Sequence, residues 1–120
     1  MNDRTLLELA ARAAGIKARW FRVNQWRRVG GHKMQTGQED VFGTHHSKPW
    51  NPLTDDGDAL RLAVKLRFDI SVEREIQVSW WQGESLETVT WPLGDDPYAA
   101  ARYAIVRAAA EIGKSMGGGE

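Results

Sequence analysis

Between Lys17 and Lys33 six cationic side chains (Lys17, Arg19, Arg22, Arg27, Arg28 and Lys33) are interleaved with Trp20, Phe21 and Trp26, and no acid stands from Ala13 through Gln38. Guanidinium and ammonium groups neutralise phosphates, and flat aromatic faces stack on bases, so the interleaving suits a nucleic acid or a nucleotide. The same residue types anchor protein interfaces. A purely structural reading stands beside both: the rings fill a small core and the arginines line its solvated face. The contact candidates are Trp20, Arg22, Trp26, Arg27, Arg28 and Lys33, with His45, His46 and Trp50 as a second patch. Gly30-Gly31-His32-Lys33 could offer backbone amides and a lysine to a phosphate. It lacks the spaced glycines and the Lys-Ser/Thr pair of a P-loop, so the expectation is a hairpin turn or a flexible joint.

The other groups with chemical potential are sparse. His32, His45 and His46, with Asp55, Asp56 and Asp58, include metal-ligating types, but their spacing matches no recognised site. Adjacent histidines on an extended chain point to opposite faces, and the aspartates suit a helix start, so no metal and no cofactor are expected. There is no cysteine, no Gly-x-Ser-x-Gly elbow and no His-Glu-x-x-His, and the chain is read as non-enzymatic. Trp80-Trp81 reads differently: strand neighbours face opposite sides, so one ring should enter the core and the other should meet solvent or a partner. Trp50 and Trp91 sit near element ends, where rings often line clefts.

The elements that must position these residues follow from period and punctuation. Asp3 can cap a first helix in which Leu6, Leu7, Ala10 and Ala14 recur at helical spacing and Gly15 supplies the stop. A strand is expected over 18–23, and a second over 26–29, separated by Asn24-Gln25. The stretch 30–49 is the least structured, with only 40–42 strand-like; at about 20 residues it is long for a plain loop, so it is partly paired, mobile or functional. Ala59, Leu62, Ala63 and Leu66 form an apolar face on a second helix, with Leu60 and Val64 beside it, which predicts burial on more than one side. Strands are expected over 68–72, 75–81 and 86–91, the last two as a hairpin through Gly83-Glu84-Ser85. Asp95 or Asp96 caps a last helix with Pro97 at its first position and Tyr98, Ala101, Ile105, Ala108 and Ile112 along one stripe. The fold class is α+β, a small antiparallel sheet packed on about three helices in the order α-β-α-β-β-α. One domain over 1–116 and a flexible glycine-rich tail over 117–120 complete the expectation.

The 120 residues balance sixteen basic against sixteen acidic side chains, so no global field draws the chain to a polyanion. The balance is uneven along the chain, with nine basic and four acidic residues over 1–50 and seven and twelve over 51–120. Zero cysteines fit a reducing compartment, and no apolar run approaches the ~18 residues of a membrane span. With no signal-peptide pattern after Met1, the expected setting is cytoplasmic, without membrane attachment.

The blocks 50–64, 96–102 and 104–112, with the opening Leu6-Leu7-Glu8-Leu9-Ala10-Ala11, resemble small accessory proteins of tailed phages and prophages, loosely similar to the NinX-like group. The resemblance covers the three helices and about half of the chain. It implies a phage or prophage accessory role in a bacterial host cell, and leaves the basic aromatic stretch and 30–49 outside it. From this follows the leading expectation, a protein that binds and modulates a bacterial host protein, such as an anti-defence inhibitor of the anti-CRISPR type. The alternative is a nucleic-acid or signalling-nucleotide binder using the basic aromatic patch. A homodimer would be permitted by Ala99, Ala100 and Ala109, which lie off the main stripe of the last helix.

Overall fold

The computed structural model describes residues 1–117; residues 118–120, most of the expected tail, lie outside the described residues. The protein is α+β, with three helices and two three-stranded antiparallel sheets. Within 1–116 the chain divides into two compact units, one formed by Met1–Lys17 together with the chain from Asn51 onward, the other by Ala18–Trp50.

The first unit holds α1 (Asp3–Ala14), α2 (Asp56–Lys65), α3 (Pro97–Met116) and a meander of β4 (Asp69–Val72), β5 (Glu75–Gln82) and β6 (Ser85–Pro92). The helix ends are set by local chemistry. Asn2, not Asp3, caps α1 by accepting a hydrogen bond from the Thr5 amide at 2.8 Å, and Gly15 closes it at φ 68° with Ile16 bonded back to Ala11. Asp55 caps α2 through the Asp58 amide, and Asp96 caps α3 through the Ala99 amide with Pro97 next.

The core of this unit lies between one face of the sheet and the helices. On β5, Ile76, Val78 and Trp80 are buried while Glu75, Gln77 and Trp81 are exposed, the alternation that a one-sided sheet requires. α3 is buried on two sides: Ile105 and Val106 are enclosed, and so are Ala100, Ala104 and Ala108–Ala110. α1 packs against α3 so closely that a Cβ at Gly113 would collide with the Leu9 carbonyl, and Arg12 donates to the Gly113 carbonyl. Ala100 and Ala109, expected as free surface for pairing between chains, are thus buried within the chain, and Tyr98, expected on the packed stripe, is exposed. α2 buries only Ala59, Leu62 and Ala63; Leu60 and Val64 stand 61% and 69% exposed, against the expected burial on several sides.

The second unit is a ribbon. β1 (Arg19–Val29) and β2 (His32–Thr44) pair antiparallel along their whole length, and β3 (Lys48–Pro49) adds two residues to the base of β2 after a 3-10 turn at His45–Ser47. Gly30 and Gly31, at φ 57° and 85°, make the two-residue turn that joins β1 to β2, the left-handed pair that a tight hairpin favours. The expected break at Asn24-Gln25 is absent. The irregularity lies next to it, where Gln25 pairs with Gly37 and Trp26 with Gln35, leaving Thr36 as the extra residue of a bulge. The expected single sheet is therefore two, and most of 30–49 is strand. It escaped the period-2 signal because both faces of the ribbon are largely solvated, so no apolar alternation marks it.

Candidate functional site

Cross-strand register sorts the ribbon side chains onto two faces. One carries Trp20, Arg22, Asn24, Trp26 and Arg28 from β1 opposite Phe42, Asp40, Gln38, Gln35 and Lys33 from β2; the other carries Arg19, Phe21, Val23, Gln25, Arg27 and Val29 opposite Gly43, Val41, Glu39, Gly37, Met34 and His32. Arg27 and Arg28, adjacent in sequence, thus belong to different surfaces.

On the first face three zones follow one another. At the base Trp20 lies against Phe42 with ring centroids 4.8 Å apart, and Phe42 meets Trp50 at 6.0 Å. Phe42 is buried and Trp50 is 7% exposed, so Trp50 serves as packing and is not an accessible contact; Trp20, half-buried, belongs to the same cluster. In the middle the polar groups satisfy one another: Arg22 donates to Asp40 at 3.4 Å and Gln38 at 3.5 Å, while Asn24 Oδ1 accepts from Gln35 and Gln38 at 3.1 and 2.8 Å. The distal zone has none of this. Trp26 is 58% exposed, and Arg28 pairs directly across from Lys33 with no carboxylate bonded to either among the described residues. Like charges placed opposite each other across a ladder are destabilising. The other face of the same end exposes Val29 and Met34 beside Arg27 and His32.

The expectation for His45 and His46 is divergence, as neighbours on an extended chain. The 3-10 turn, with His46 in the left-handed region at φ 64°, instead brings their rings to a centroid distance of 3.9 Å. Both are exposed, and among the described residues no group of three or more His, Cys, Asp or Glu side chains is arranged to hold a metal ion. The aspartates are engaged in structure: Asp55 caps α2, Asp56 accepts from Arg102 at 2.6 Å, and Asp58 accepts from the Asn51 amide at 3.0 Å and from Arg61 at 2.7 Å.

Trp91 lines a cleft, as expected, but sequence reasoning passed over the rest of that groove in the first unit. It has a volume of about 530 Å³ and runs along β6 and α3, with Trp80, Val89 and Trp91 as its apolar wall and Glu87, Arg107 and Glu111 among its polar groups. Trp91 packs on Tyr103 at 4.4 Å. Arg107 Nε lies enclosed without a hydrogen bond, 3.6 Å from Glu111. The neighbouring Tyr103 hydroxyl raises the guanidinium pKa above its ordinary value; partial burial opposes that, and Glu111 adds to it. Arg107 and Glu111 stand at helical spacing and Glu87, Val89 and Trp91 at strand spacing, so each set is separately readable in the sequence. Only the packing of α3 on β6 joins the two.

Trp80 and Trp81 divide as expected: Trp80 is 5% exposed, 5.7 Å from Phe68, while Trp81 is 66% exposed on the outer sheet face beside Leu86. Among the described residues no helix is long and apolar enough to cross a membrane. Comparison of the chain with protein-family models, with curated proteins and with solved structures finds no match.

Proposed function

We propose that the chain is a non-enzymatic binding protein that holds a nucleic-acid strand or a nucleotide at the distal end of the ribbon, Trp26 stacking on a base and Arg28 and Lys33 sharing phosphate. The observation that carries this reading is the Arg28–Lys33 pair, two cations directly opposed on one face, two residues from an exposed tryptophan. Such a pair costs stability in the free chain, and a bridging anion removes the cost. Acids lie only toward the base of the ribbon, at Glu39 and Asp40, so the field at the distal end is local although the chain is neutral overall. The test is fluorescence anisotropy of a labelled single-stranded oligonucleotide at two salt concentrations, with the melting temperature read in parallel. Binding that weakens with salt and disappears in Arg28→Glu supports the reading; no binding and no thermal shift with oligonucleotides or nucleotides overturns it.

A second reading draws on the opposite face, where Arg27, Val29 and Met34 present a cation beside exposed apolar side chains, the composition of a protein contact. Joined to the resemblance of the helices, it makes the chain a phage or prophage accessory protein that engages a bacterial host protein in the host cytoplasm, as an anti-defence inhibitor would. Pull-down from nuclease-treated host lysate discriminates the two. A partner lost with Arg27→Glu and kept with Arg28→Glu favours this face, whereas identical partner sets for wild type and Arg27→Glu remove it.

A further inference from the structure

The three-stranded sheet of the first unit has two edges of different character. β4 is four residues long, which leaves little to pair with. β6 is eight residues long, keeps an unbroken register with β5, contains no Lys or Arg, and has its only proline at the last position, Pro92. Among the described residues no strand pairs with its outer side. Short length, bulges, lysines and internal prolines keep edge strands from pairing with other chains, and β6 has none of these; its one charge is Glu87, which points to the groove side of the sheet.

The groove along β6 and α3 lies beside this edge. Thr88 and Thr90, whose side chains belong to the opposite sheet face, are also among its lining residues. Glu87, Val89 and Trp91 face it at two-residue intervals, the repeat of an adjoining strand. Glu111 is matched by Arg107, but the Glu87 carboxylate accepts only from Ser85 Oγ, at 2.6 Å, and has no cation partner among the described residues.

We infer that β6 takes an extended peptide segment of a partner protein as a fourth strand, with a Lys or Arg of that segment set against Glu87 and apolar side chains set against Val89 and Trp91. Backbone hydrogen bonds supply the affinity of such an addition, and the alternate side chains entering the groove supply its selectivity. A second copy of this chain fits less well. Two β6 strands paired about a twofold axis would place only uncharged side chains or another Glu87 opposite Glu87, because β6 contains no cation.

The probe is a capped heptapeptide in which threonine alternates with lysine, valine and leucine, made in both chain directions and added to the full chain. Saturable slowing of hydrogen exchange at the β6 amides is expected with at least one direction. Of the two sets of alternate peptide nitrogens, methylation of the one that faces β6 should abolish it and methylation of the other should not. Glu87→Lys should weaken binding at least tenfold, and a peptide with glutamate in place of its lysine should restore it. The inference is overturned if neither peptide protects β6, if the methylated peptides bind equally well, or if β6 is protected without peptide in proportion to self-association. That last result would make a second copy the occupant.

Discussion

In β5 every second side chain from Ile76 to Trp80 is buried against helices, whereas in β1 the same two-residue repeat leaves Arg22, Asn24, Trp26 and Arg28 all exposed. The helix–sheet unit draws its stability from apolar burial, with Leu6, Leu62, Ile76, Val78 and Val106 almost fully enclosed. The ribbon has one aromatic cluster at its base and above it little more than ladder hydrogen bonds and exposed polar pairs. A two-stranded ribbon without an apolar face is marginal by itself. Residues there are free of the demands of a core, which is what leaves Trp26 exposed and Arg28 opposite Lys33.

The largest effect expected from this contrast is in the helix–sheet unit. Ile76→Ala removes a side chain that is 1% exposed and leaves a cavity, at a cost of about 2–5 kcal/mol. Denaturant unfolding followed by far-ultraviolet circular dichroism measures it, and the helix signal should be lost at a lower midpoint. Val29→Ala or Met34→Ala at the ribbon end should move the same midpoint by less than about 0.5 kcal/mol. A loss at Met34 comparable to that at Ile76 would show that the distal ribbon is packed, and the contrast would fall.

What could be read from residues alone follows the same division. The helices were legible because caps and apolar period agree: Asp55, Asp96 with Pro97, and Gly15 all stand where α2, α3 and α1 begin or end. The β5–β6 hairpin was legible because Ile76, Val78 and Trp80 alternate with polar residues above a real core. β2 was not, since Lys33, Gln35 and Gln38 on one face and His32 and Met34 on the other carry no alternation to detect. Of the candidate site, the composition was legible and the geometry was not. Trp50 and Trp20 form base packing. Arg27 parts from Arg28 by strand alternation alone, which the sequence already carried; what it did not carry is the partner each meets, Met34 and Lys33, because that register depends on the Gly30-Gly31 turn and on the bulge at Thr36.

An intermediate effect separates the ribbon base from its end. At Gly43 an added Cβ would meet the Phe21 ring and the Lys48 carbonyl, so Gly43→Ala forces the base of β1, β2 and β3 apart at a cost of about 1–3 kcal/mol. Hydrogen exchange should show lost protection for the pairs from Arg19 to Val23, with the amides of β5 and α3 unchanged. Equal loss in β5 would show that the ribbon base and the helix–sheet unit open as one.

The smallest change in stability carries the sharpest information. Arg28→Glu replaces two opposed cations with a carboxylate facing Lys33 across the ladder, an ion pair worth about 0.2–1 kcal/mol relative to a pair of alanines, where the native pair is repulsive. Pairing at the distal end should therefore tighten, seen as slower exchange of the amides around Val29 and His32, while anion affinity falls at least tenfold. Stability and binding move in opposite directions only if the repulsion is retained for a ligand. Arg27→Glu, opposite Met34 on the other face, relieves no repulsion and should leave both nearly unchanged in the nucleic-acid assay. If the two substitutions act alike on binding, the face assignment is wrong and the distal end is a diffuse positive field instead of a site.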